Sequence, residues 1–175
     1  MIESGGNSSY FIKTGKVLVT ILCLIFLAIR ASGQEPPPRP ITVTVTSQGL
    51  SFGTFTQGAS GGTVTVTATG TRSATGDVVL LSLTPLHSAA MYEVVGNPGT
   101  LVSLLNGPDV FLPGSNGGSL QLTVGASEPV SPFVITTIPP VSTLLYVGGT
   151  LTIGSPASNP PGSFSGTFDI TFIQE

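Results

Sequence analysis

His87 is the single histidine of the 175-residue chain, set in P-L-H-S-A-A between two apolar runs. An imidazole there acts as a general base only if a nucleophile and an orienting group join it. G-A-S-G-G, residues 58–62, has the G-x-S-x-G spacing of a nucleophile elbow. That motif works where a strand turns sharply into a helix, and here T-V-T-V-T-A-T follows, so the match predicts no chemistry. The carboxylates are spread one to a segment without D-x-D or E-x-x-H spacing, which leaves neither a calcium loop nor a zinc site legible; only tertiary structure could gather distant ones. Arg72 lies in T-G-T-R-S-A-T-G-D-V with Asp77 five residues on, across an expected turn, and the pair reads as a local ion pair worth about 0–1 kcal/mol if exposed. Phe52, Phe55, Phe164, Phe168 and Phe172 resemble a stacking platform for sugars, but tryptophan is absent and core packing is the simpler role. The expectation is a protein that is not an enzyme and holds no cofactor and no metal.

Elements must still position these residues, and the N-terminus is set aside first. Lys13 and Lys16 precede an unbroken apolar stretch from Val17 to Ile29, followed by A-S-G at residues 31–33. A basic start, a short apolar core and small residues at the cleavage positions are the marks of a signal peptide, expected to form a helix over residues 1–33. The apolar run falls short of the roughly 20 residues a membrane span needs, so no integral span is expected after cleavage. Cys23, the only cysteine, leaves with this leader, and neither a disulfide nor a thiolate site remains. Beyond residue 33 the chain carries Arg39 and Arg72 against seven acids, a net charge of about −5. That balance lacks the basic footprint that neutralises phosphates, and so argues against a nucleic-acid partner or attachment to anionic headgroups.

Q-E-P-P-P-R-P, residues 34–40, is expected to be an extended tether, because its prolines cannot donate to a ladder. A single domain over 41–175 follows. I-T-V-T-V-T, residues 41–46, alternates strictly, placing Ile41, Val43 and Val45 on one face of a half-buried strand. L-S-F-G-T-F-T, residues 50–56, is a second strand with Gly53 at a bulge. Glycine pairs at 61, 117 and 148 each precede an alternating run, so hairpin turns are expected at the pairs and strands after them. Further runs at 78–83, 91–95, 101–105, 133–138 and 144–147 complete the set. The last segment, Gly162 to Glu175, puts Phe164, Phe168, Ile170 and Phe172 on one side of a two-residue repeat. Outside the leader no 3.6-residue periodicity appears among 23 glycines and 15 prolines. The expected fold is therefore all-β, an antiparallel immunoglobulin-like β-sandwich, with a barrel as the competing architecture.

Several segments taken together carry a family resemblance: L-S-F-G-T-F, then G-G-T-V-T-V-T-A-T-G-T-R-S-A-T-G-D-V, A-M-Y-E-V-V-G-N-P-G, V-G-G-T-L-T-I-G and P-G-S-F-S-G-T-F-D-I-T-F. Spread from about Leu50 to Phe172, they resemble the secreted bacterial family catalogued as domain of unknown function 4402. That family is similar in layout to fimbrial subunits and pilins of the chaperone-usher class, although these commonly carry a disulfide that this chain lacks. The resemblance implies a pilin-like sandwich that a strand from a neighbouring subunit completes, and it supplies no catalytic residues.

The expected donor of such a strand is Ile41, Val43 and Val45, and the expected acceptor edge is Phe168, Ile170 and Phe172. Burying three aliphatic side chains contributes about 5–9 kcal/mol before ordering costs. The same N-terminal strand can instead close its own sandwich and leave a monomer, and the sequence leaves both readings open. The expected function is an exported structural or adhesive protein of the cell surface or periplasm of a Gram-negative-type bacterium. Its partners would be other copies of itself or other surface subunits. Two rivals stand beside it: a monomeric glycan-binding module and a small outer-membrane barrel, the latter short of girdle aromatics.

Overall fold

The computed structural model describes residues 39–175. The expected leader and residues 34–38 of the expected tether lie outside the described residues. Twelve strands follow and no helix is present among the described residues. They are β1 (Thr42–Val45), β2 (Ser51–Phe52), β3 (Phe55–Val66), β4 (Arg72–Leu80), β5 (His87–Ser88), β6 (Ala90–Val95), β7 (Leu101–Asn106), β8 (Val110–Pro113), β9 (Ser119–Glu128), β10 (Phe133–Val134), β11 (Thr143–Ile153) and β12 (Ile170–Gln174). Every pairing is antiparallel, as short Gly/Pro/Asn turns dictate. The fold is an all-β sandwich-like arrangement with a curled main sheet.

β11 is the centre of that sheet. Tyr146–Thr152 pair with β9 along one edge, while the other edge is shared end to end, with β6 on Thr143–Val147 and β3 on Gly149–Ile153. β1 extends the sheet beyond β6, β4 beyond β3 and β8 beyond β9, so its margins are open and it does not close into a barrel. A second layer, β10-β7-β12, lies apart from it, and β2 with β5 forms a two-stranded ribbon. Alternation decides what is buried: along β9, Leu120, Leu122 and Val124 are buried while Thr123 is exposed.

The fork on β11 divides the core in two. Val64, Val66, Leu112, Leu120, Leu122, Leu151 and Ile153 form one half with Phe52. Val94, Val102, Val124, Phe133, Ile135, Leu145 and Val147 form the other. Phe168 packs against both and joins them.

Glycine pairs prove to have two uses. Gly117–Gly118 turns the β8–β9 hairpin, closed by Gly114 N–H to Gly118 O at 3.0 Å and by Gly117 N–H to Gly114 O at 3.1 Å. The other two pairs lie inside strands, contrary to the expectation of turns. Gly148–Gly149 sits in mid-β11, beside a register shift against β9. Gly61–Gly62 sits in β3, where five steps from Gln57 to Gly62 oppose two on β4 from Val78 to Gly76. The physical reason is crowding. A Cβ at Gly61 would collide with Ile153 O and lie 2.5 Å from Gly154 O, so only glycine lets the strand bend against the end of β11.

That bend overturns the expected Arg72–Asp77 ion pair. Both residues belong to β4, where an odd separation puts side chains on opposite faces. Arg72 donates instead to Leu81 O at 3.1 Å and Thr54 O at 2.6 Å. A straight strand would hold Arg72 about 30 Å from Leu81. The hairpin therefore folds back on itself, and the guanidinium ties its two ends. Asp77 lies over Gly58. Two further expectations are corrected. Residues 50–56 break at Gly53 into β2 and the start of β3, and 133–138 keeps only two residues as strand. β5 and β8 have too few residues to show a period and were not expected.

Candidate functional site: an edge strand and an apolar cleft

β1 is four residues of edge strand on β6, in the register Thr42↔Val95, Val43↔Val94, Thr44↔Glu93 and Val45↔Tyr92. Its partner belongs to the same chain. Ile41 and Val43 are half-buried against the second core half, as their alternation requires, but Val45 is 73% exposed. It stands at the end of the strand and does not pack on that core, which corrects the expectation of three buried side chains.

The expected acceptor residues lie close by but not on one strand. Only Ile170 and Phe172 belong to β12; Phe164 forms an isolated bridge with Gly114, and Phe168 lies in the irregular stretch between. β12 pairs with β7, not with β1. Contact with the N-terminal segment is made by a side chain: Ile41 N–H donates to Gln174 Oε1 at 2.9 Å, and Gln174 Nε2 donates to Arg39 O at 3.2 Å. Gln174 thus clips the start of β1 to the other layer. Nothing in its sequence context marks it, because Q-E reads as a polar strand end.

Beneath β1 the Tyr92 ring meets Phe172 edge to face, with centroids 5.6 Å apart and planes at 61°. Burial raises the Tyr92 pKa, because the phenolate would lose its hydration. Since the folded value lies above the unfolded one, its stabilising contribution is complete below about pH 10 and is lost as pH rises through the folded value. The urea midpoint of the native chain is expected to fall between pH 9 and 12 more steeply than that of Tyr92→Phe, and equal slopes would contradict this burial.

Over the first core half the second layer is incomplete, leaving a cleft of about 620 Å³. Leu112, Leu120, Leu122 and Leu151 line it together with Phe52, Phe55, Phe164 and Phe168, and Ser51, Thr54, Thr56 and Gln57 add polar groups. None of its lining residues is ionisable. Of its lining residues, Gly166 and Phe168 make no backbone hydrogen bond among the described residues. The sequence singled out these phenylalanines as core, which holds in part: Phe52 is buried, and Phe55, Phe164 and Phe168 are half-buried at the cleft. The cleft itself has no local signal, because its parts come from five separate stretches of chain.

His87 is exposed on β5, and Ser60 is exposed in the bulged part of β3; no hydrogen bond joins them. Among the described residues no three His, Cys, Asp or Glu side chains gather as a metal site. No helix among them is long and apolar enough to cross a membrane. Residues 41–173 match the family model described as Domain of unknown function (DUF4402). No curated protein and no solved structure matches the chain.

Proposed function

The chain belongs to the DUF4402 family, and from that premise we propose that it is a non-enzymatic, exported structural component of the bacterial surface whose copies join by exchanging β1. The observation that carries the reading is the weak attachment of this strand. A four-residue ladder, two half-buried aliphatic side chains, the Gln174 clip and the hydrogen bonds of Thr46 and Gln48 to Met91 and Ala89 hold it at an open margin of the sheet. The burial contributes about 2–3 kcal/mol, well below what three fully buried side chains would give.

An exchanged β1 would occupy the same place on a neighbour's β6, so the ladder and packing that one chain gives up within itself form again between two. Exchange of an identical element needs no new interface and is a low-cost route to assemblies. The segment that must span from one copy to the next is 46–50, which joins β1 to the rest of the fold. The basic residues at 13 and 16 and the apolar run after them support export.

The test uses the register. One chain carries Thr44→Cys and a second Glu93→Cys, both in a Cys23→Ser background, and the two are produced together. Mixed disulfide dimers are expected, because Thr44 and Glu93 of different copies face each other only where β1 of one lies on β6 of the other. Their absence, with intramolecular closure in the doubly substituted chain, would sink the exchange. Gln174→Ala removes a hydrogen bond worth about 1 kcal/mol that forms in either arrangement, so it is expected to speed the appearance of mixed dimers about fivefold without changing their final yield.

A further inference from the structure

We propose that Asn116 is a site of spontaneous covalent modification: its side-chain amide is lost to water through a cyclic imide with the Gly117 nitrogen, and the product loosens segment 161–164 from the β8–β9 hairpin. The proposal does not depend on exchange of β1. Asparagine occurs at 97, 106, 116 and 159 among the described residues. Asn97 and Asn159 precede proline, whose nitrogen has no proton to give up in such a ring closure. Asn106 and Asn116 precede glycine, where the missing Cβ leaves the attacking nitrogen open to approach and the backbone free to rotate.

These two sites differ in what holds them. Asn106 ends β7 and pairs with Ile170 of β12. Its Nδ2 donates to Val124 O at 3.3 Å and to Gly125 O at 2.9 Å, and Gly107 N–H donates to Asp169 O at 2.9 Å. Ring closure there requires lifting the end of one strand off another. Asn116 is exposed in the turn between β8 and β9. Its Nδ2 donates once, to Pro161 O at 2.6 Å, and Gly117 N–H makes only the turn bond to Gly114 O at 3.1 Å. A Cβ on Gly117 would find nothing within 4 Å, so the attacking nitrogen stands in open space. Each ordinary hydrogen bond shifts such an opening about fivefold, and Asn106 has one more to break besides its place in the ladder. Asn116 therefore reacts at least about tenfold faster than Asn106 in the folded chain.

The step needs no oxidant and no cofactor. The Gly117 nitrogen gives up its proton and bonds to Asn116 Cγ, the Cγ–Nδ2 bond breaks, and Nδ2 leaves with that proton as ammonia. Water then opens the imide at either carbonyl. One opening leaves aspartate at position 116, and the other leaves isoaspartate, in which the main chain runs through the former side-chain carbons. Neither carboxylate can donate to Pro161 O, which it would face with like charge. The remaining ties at this point are Ser115 N–H to Ser163 O at 2.9 Å, Ser163 N–H to Ser115 Oγ at 3.1 Å and the bridge between Gly114 and Phe164. Isoaspartate lengthens the main chain immediately beside them.

The experiment ages the full-length chain at mildly alkaline pH, folded and in urea. Isoaspartate is read by methyl transfer from a protein isoaspartyl methyltransferase and assigned to each site by fragment mass spectrometry. In the folded chain product is expected at Asn116 at least about tenfold faster than at Asn106, and in urea the two rates should converge. Asn116→Gln should abolish the signal at that position. Asn116→Asp, which mimics the product without ageing, should raise chymotryptic cleavage after Phe164 about fivefold. Equal rates at the two sites in the folded chain, or product that accumulates at Asn116 only in urea, would overturn the site. Unchanged cleavage after Phe164 in Asn116→Asp would overturn the loosening. Mixed-disulfide formation by β1 is unaffected by any of these outcomes, so each proposal can fail without the other.

Discussion

Arg72→Met is expected to destabilise the fold by about 2–4 kcal/mol, measured by urea denaturation at neutral pH. The native guanidinium donates to Thr54 O and Leu81 O, the two carbonyls at the open end of the β3–β4 hairpin. Hydrogen bonds from a charged donor contribute about 1.5–3 kcal/mol each, discounted here because Arg72 is only half-buried. Methionine keeps the aliphatic stem and removes both donors, so Leu81 O loses its partner while Thr54 O keeps only the Leu81 N–H at 3.0 Å. Burial lowers the Arg72 pKa, and its buried Nε–H has no partner among the described residues. The site therefore already bears a desolvation cost that only the two carbonyl contacts offset. Arg72→Lys should recover less than half of the loss, since one ammonium on a flexible stem cannot replace a planar fork spanning two acceptors. A change below about 0.5 kcal/mol in Arg72→Met would mean that the hairpin holds its curl without this tie.

Gly61→Ala is expected to cost at least about 3 kcal/mol, and Gly70→Ala only about 1 kcal/mol. Both glycines have positive φ, +66° and +81°, so both substitutions carry left-handed strain of about 1–2 kcal/mol. They differ in what the new methyl meets. At Gly70, in the turn between β3 and β4, nothing lies within 4 Å. At Gly61 the methyl would strike the backbone oxygens of Ile153 and Gly154, which move only if β11 moves. Comparing urea midpoints of the two variants separates strain from collision, and equal losses would show that the corner can open without cost.

Alternation over 41–46 and after the glycine pair at 117 locates β1 and β9, and the short apolar runs at 91–95 and 101–105, bounded by Gly/Pro/Asn turns, locate β6 and β7. The same signals locate the all-β class. The curl was not legible, since it depends on where Gly61 and Gly148 meet another strand's carbonyls, and a glycine pair looks the same at a turn and at a bend. Arg72 was singled out, but its partners are 9 and 18 residues away, beyond any local reading. The alternation at 41–46 places Ile41 and Val43 on the half-buried face, yet Val45 at 73% exposure shows that alternation gives the direction of a side chain and not whether anything covers it. Gln174 and the cleft went unread because their partners are brought near only by the fold.

β11 receives β3 and β6 on one edge and β9 on the other, and it comes from the last third of the chain. As the polypeptide leaves the ribosome, three earlier strands wait without the one that aligns them. Productive pairing over separations of roughly ninety residues in the case of β3 is a slow way to fold. Until residues up to Ile153 are present, β3, β6 and β9 lack the strand that pairs with all three, which leaves unmatched edges open to other chains.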